Sequence, residues 1–139
     1  MGHTSVSDFS WDAVTWLQWA KQTHAGAHVL FNEGNPFLWF PAAILGHQAL
    51  EMFLKAALTK TGRRVEKSDV WGHNLVTLAH DLEKTGVALP LGLLDDLQKF
   101  NDFFDELRYP HPAIRVQDLS SLEGELLDSL VLRLRPFAE

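Results

Sequence analysis

Gln48, Glu51 and Lys55 place an amide, a carboxylate and an ammonium at i, i+3 and i+7, so a helix through them carries all three on one side. Glu51 precedes Lys55 by four residues, the favourable direction for an ion pair within a helix. Two roles fit this stripe. On a solvated face it adds a few tenths of a kcal/mol per pair; along a polar groove or a dimer seam the same groups orient a ligand or a second chain. Gly46, Ala49, Ala56 and Ala57 are small enough to let another helix cross nearby.

Further along, Arg108-Tyr109-Pro110 follows a strongly apolar run. Arg108 suits the last carbonyls of a helix and the proline stops further winding. An Arg beside a Tyr also offers a planar cation and a stacking face, the equipment for a phosphate and a base. His73, between Gly72 and a capping Asn74, fits either a structural hydrogen bond or a contact to a phosphate or to Glu51. Lys55, Lys60, Arg63, Arg64 and Lys67 concentrate five of the twelve basic residues near one helix end, which suits both the helix dipole and a phosphate.

Other chemistries find less support. His24 and His28 sit one turn apart and could chelate, but no carboxylate follows in a recognisable ligand pattern and no His-Glu-x-x-His occurs, so no metal and no cofactor are expected. With no cysteine there is neither a disulfide nor a thiolate nucleophile. Neither a Gly-x-Ser-x-Gly elbow nor a glycine-rich phosphate loop is present.

The elements that must position these groups read as helices. Helical periodicity recurs in five segments, and the period-two alternation of strands does not. The expected fold is all-α, an antiparallel bundle of about five helices over residues 10–139 behind a tail at 1–9. The first helix is expected to start at a Ser10 cap with Asp12 in its first turn, and to bury Trp11, Val14, Leu17, Ala27 and Leu30. The second holds Pro41 in its first turn and runs to about Thr61 before Gly62, with Arg63 to Asp69 as a connecting loop. Asn74 caps a short third helix that buries Leu75, Leu78, Ala79 and Leu82 and ends at Gly86. Leu93, Leu94, Leu97, Phe100, Phe103, Phe104 and Leu107 mark one face of the fourth, which stops before Pro110. Ser120 and Glu123 have capping-box spacing for the fifth, whose face is Leu122, Leu126, Leu130 and Leu134 and which Pro136 closes.

Composition bounds the rest. A chain of 139 residues with 46% hydrophobic and 22% charged residues has the mixture of one globular core. Five Trp and nine Phe need a deep core or a partner surface to cover them, which points to oligomerisation. No apolar run approaches the roughly 20 residues that cross a bilayer, so a soluble, cytoplasmic protein is expected. A net charge of −6 opposes indiscriminate binding to a polyanion, although a local basic patch escapes that objection.

One succession ties the pieces together: Gly46-His47-Gln48-Ala49-Leu50-Glu51-Met52-Phe53-Leu54-Lys55-Ala56-Ala57-Leu58, then Thr61-Gly62, Gly72-His73-Asn74-Leu75 and Arg108-Tyr109-Pro110. It resembles the HEPN family, the "higher eukaryotes and prokaryotes nucleotide-binding" domains, over roughly residues 10 to 135. The resemblance implies a helical bundle that often dimerises, and that either stands beside a small nucleotidyltransferase, as in toxin-antitoxin pairs, or acts on RNA. Catalytic members carry an Arg followed by a His after four to six residues, a pattern absent here: only Tyr109 and Pro110 separate Arg108 from His111, and Arg64 and His73 are too far apart. The resulting expectation is a homodimeric, non-catalytic module. Gln48, Glu51, Lys55, His73, Arg108 and Tyr109 would line a groove for a nucleotide, RNA or a partner protein. The alternative is a metal-independent ribonuclease, toxin-like, using Arg108 with His111 or His73.

Overall fold

The computed structural model describes residues 12–62, 74–108 and 122–139, without the side chains at 36, 106–108, 122 and 123. They form α1 (Ala13–Asn32), α2 (Trp39–Lys60), α3 (Leu75–Glu83), α4 (Leu93–Arg108) and α5 (Leu122–Ala138), with a 3-10 turn at Pro36–Leu38 leading into α2. The described residues contain no strand, and the fold is the all-α bundle that the periodicity implied. None of the described helices is long and apolar enough to cross a membrane.

Helix α2 is the axis of the bundle. From Ala49 to Leu58 every residue but Met52 is buried, and α1, α3, α4 and α5 all pack on it. A helix covered on almost all sides is an internal one. Its small residues let the neighbours come near: a Cβ added at Gly46 would stand 2.9 Å from Phe100 Cζ and 3.0 Å from Leu127 Cδ2. Pro41 lies in its first turn, where its missing N–H is needed by no earlier carbonyl.

Helix α1 starts later than the sequence suggested and turns another face inward. Its cap is Asp12, whose Oδ1 accepts from the Thr15 amide at 2.8 Å, while Ser10 and Trp11 lie outside the described residues. Trp16, Ala20, Ala27 and Phe31 form the buried stripe. Of the expected stripe, Ala27 is buried and Leu17 and Leu30 pack half-buried against the core, but Val14 is 63% exposed. This helix has apolar residues on both sides, so periodicity alone leaves its rotation open; the alanines at 20 and 27 decide it by allowing close approach to α2.

The remaining helices follow their patterns more closely. Asn74 caps α3 by accepting from the Val76 and Thr77 amides, and Leu75, Leu78, Ala79 and Leu82 are its buried residues. Gly86 then takes φ +96, as a residue without a Cβ readily can. In α4, Leu93, Leu97 and Phe100 are buried and Leu94 and Phe103 pack against the core. In α5 the buried residues are Gly124, Leu127, Leu130, Val131, Leu134 and Ala138, with Leu126 at the margin. Pro136 does not close α5: it lies inside the helix, which runs to Ala138. Pro136 and Leu132, four residues earlier, are both exposed, so the carbonyl that loses its N–H partner is on the solvated side. Ser120 lies outside the described residues.

Candidate functional site

The stripe on α2 is split by burial. Gln48 is exposed, whereas Glu51 and Lys55 are 7% and 1% exposed. A third residue, His47, completes an i, i+4, i+8 series with them and is 1% exposed. His47 Nδ1 lies 2.8 Å from Glu51 Oε1, and Lys55 Nζ lies 3.5 Å from Glu51 Oε2, so the carboxylate is shared by an imidazole one turn before it and an ammonium one turn after. The Lys55 ammonium also stands 5.4 Å from the centre of the Trp16 ring on α1, in reach of its negative face.

The far side of His47 is held by α4. Its Nε2 is 3.3 Å from Asn101 Oδ1, and its ring stacks on Phe104 with centroids 4.0 Å apart and planes 23° apart. The same Asn101 oxygen accepts from the Leu75 amide at 3.2 Å, and the Asn101 amide donates to Asp105 Oδ2 at 3.4 Å. The bond from Leu75 fixes which end of the Asn101 side chain is oxygen, since a backbone amide needs an acceptor. Both atoms facing the His47 ring are therefore acceptors, the Glu51 carboxylate at Nδ1 and the Asn101 oxygen at Nε2.

Two segments named by the sequence meet at this node: helix α2 supplies His47, and Leu75 is the last residue of the Gly72-His73-Asn74-Leu75 segment. His73, Tyr109 and His111 lie outside the described residues, as do Arg63, Arg64 and Lys67, and the side chain of Arg108 is not described. Of the expected groove, the structure thus joins Glu51 to Lys55 and leaves Gln48 on the surface.

Sequence reasoning passed over His47 and Asn101. Both had a signal: His47 shares the helical register of Glu51 and Lys55, and Asn101 is a polar residue among the apolar positions Leu97, Phe100 and Phe104.

A chain with this bundle and this polar node on its central helix matches the family model of the HEPN domain over residues 13–125. It belongs to the HEPN domain family. Among solved structures it is similar to TT1696 from Thermus thermophilus, at 26% identity over 91% of this chain and 94% of that one, with a TM-score of 0.72. Comparison with curated proteins gives no match. The HEPN match opens at the first residue of α1 and closes within the first turn of α5, so it takes in all of the His47, Glu51, Lys55 and Asn101 node.

Proposed function

We propose that this HEPN domain is a non-catalytic binding module that pairs with a second copy of itself and docks a partner protein, such as a nucleotidyltransferase of a toxin-antitoxin pair. The observation that carries the reading is the burial of the α2 cluster. His47 and Lys55 are both 1% exposed and both engage Glu51, so these groups stabilise one arrangement of the helices rather than meeting a substrate. An imidazole held inside the core between Glu51 and Asn101 is in no position to take a proton from a ribose hydroxyl. The other described imidazoles also face carboxylates, His24 and His28 that of Asp128 and His80 that of Glu83.

The outer surface favours a protein over a polyanion. The net charge is −6, and Phe37 and Phe40, where the chain enters α2, are 77% and 38% exposed. Exposed aromatic rings are typical anchors of protein interfaces. Gln48 and Lys60, exposed on α2, are the groups that would serve a nucleotide or RNA instead.

Light scattering across a concentration series tests the pairing, and titration with ATP and a short RNA, repeated on Lys60→Ala and Arg108→Ala variants, tests the alternatives. A concentration-dependent dimer indifferent to both ligands is expected. A chain that stays monomeric at every concentration sinks the pairing; saturable RNA binding lost in both variants replaces the protein partner with a nucleic acid. Cleavage of that RNA by the pure protein replaces the module with a ribonuclease.

A further inference from the structure

Away from the α2 cluster, the antiparallel pair α1 and α5 gathers a second set of donors. Antiparallel packing is fixed at both ends: Gly124 meets Phe31, and Glu139 reaches Lys21 at 3.5 Å. Between these points Asp128 of α5 faces His24 and His28, one turn apart on α1. Its Oδ1 is 2.7 Å from His24 Nε2 and its Oδ2 is 2.9 Å from His28 Nδ1. One ligand atom from each of the three lies within 4.8 Å of the others.

We propose that His24, His28 and Asp128 bind a divalent transition-metal ion, and that zinc is the ion this donor set fits best. Two imidazoles and one carboxylate suit zinc and its neighbours, whereas calcium and magnesium take oxygen ligands. An i, i+4 pair of histidines on a helix is a spacing that lets both rings reach one ion. A carboxylate only accepts, so without metal the two ring nitrogens facing Asp128 must carry protons. The ion takes the place of those protons, which move to the opposite ring nitrogens or to solvent. Zinc bonds of about 2.0–2.1 Å hold tetrahedral ligands roughly 3.3 Å apart. The two imidazole-to-carboxylate spacings are shorter by about half an ångström, an opening within reach of side chains that are 23%, 52% and 39% exposed.

His24 and His28 lie within the HEPN match and Asp128 lies past its end at residue 125, so the match does not span the whole donor set. Three protein ligands leave a position open toward solvent, as in zinc sites that hold an exchangeable water or an external carboxylate or phosphate. Bound there, the ion cross-links α1 to α5.

Calorimetric titration of zinc into tag-free, metal-stripped protein tests the site, together with melting in zinc and the optical spectrum of the cobalt form. One ion per chain, a raised melting temperature and visible absorption from cobalt are expected. Asp128→Asn keeps a hydrogen-bonding group of the same shape but loses the charge, and should weaken zinc binding by at least about tenfold, while His80→Ala leaves it unchanged. Circular dichroism of each variant verifies that the helices remain. Absence of saturable zinc binding to the wild type overturns the site. So does binding that survives both Asp128→Asn and His24→Ala, which assigns the ion to another residue such as His3.

Discussion

His47 and Glu51 face each other at 2.8 Å one turn apart on α2, in the most enclosed part of the bundle, and the Lys55 ammonium lies on the other carboxylate oxygen. Charge inside a core is tolerated while its partner remains and becomes costly once one side is removed. Glu51→Leu takes the shared carboxylate from the Lys55 ammonium and the His47 ring and is expected to cost about 3–5 kcal/mol. Glu51→Leu combined with Lys55→Met removes the carboxylate together with the ammonium, and is expected to recover much of that loss. Urea unfolding of the two single variants and the double gives the coupling energy; strictly additive effects would show that the two residues act separately.

Asn101 and Asn74 both serve the start of α3, at different depths. The exposed Asn74 accepts from two amides that water can also reach, so Asn74→Ala is expected to cost about 1 kcal/mol, as an ordinary cap does. Asn101 is 5% exposed and accepts from the Leu75 amide while facing His47. Asn101→Ala strands the buried Leu75 amide, takes a partner from the His47 ring, and is expected to cost roughly 2–6 kcal/mol, at about 1–3 kcal/mol for each buried unsatisfied group. Thermal unfolding of the two variants side by side gives the comparison, and equal losses would mean that Asn101 is not the joint between α2, α3 and α4.

Two helical glycines differ in what stands against them. A Cβ at Gly46 meets the far ends of the Phe100 and Leu127 side chains, whereas a Cβ at Gly124 meets Phe31 Cβ at 2.9 Å and Cγ at 3.0 Å, atoms tied to the α1 backbone. Alanine gains up to about 1 kcal/mol of helix propensity at either site. Overpacking outweighs that gain at Gly124, where Gly124→Ala is expected to lose about 1–3 kcal/mol. Gly46→Ala should be milder. The reverse ranking in chemical denaturation would put the tightest helix crossing at α2 and α4 instead of α1 and α5.

What the sequence disclosed and what it withheld follow from the range of the interactions. Helix α3 was legible to its cap and its four buried residues because local spacing, Asn74 and Gly86 all agree. Helix α1 was not, since Trp16, Ala20, Ala27 and Phe31 compete with Val14, Leu17 and Leu30, and only packing against α2 selects between them. Glu51 and Lys55 were recognisable as a pair by their spacing, but their burial depends on α2 being surrounded, which no single stretch of chain reveals. Asp128 carried no local signal toward His24 or His28, being 100 residues beyond the latter; the antiparallel course of α5 alone brings them together.

The cap of α1 links stability to acidity. The Thr15 amide hydrogen bond holds the Asp12 carboxyl below its ordinary range. A group whose pKa is lowered by folding contributes fully above its unfolded value, and that contribution fades as the pH falls through the folded one. Asp12→Asn retains a capping oxygen without the charge. The stability difference between wild type and Asp12→Asn is therefore expected to be largest near neutral pH and to shrink in acid. Denaturation curves across that range check it, and a difference that stays constant would show the charge to be irrelevant to the cap.

Phe37 sits in the 3-10 turn before α2 and is 77% exposed, so its ring contributes little to the core of a single chain. Covering an aromatic ring at an interface removes on the order of 150–250 Å² from water, and an anchor of this kind is worth roughly 2 kcal/mol or more of binding. If this face makes the proposed dimer, Phe37→Ser weakens pairing by about tenfold or more while the unfolding of the dilute monomer is unchanged. Sedimentation equilibrium measures the first and urea unfolding the second. Unaltered pairing in Phe37→Ser moves the interface elsewhere, with Val14 and Val29 of α1 as the next apolar positions to replace, because both are well exposed on that helix.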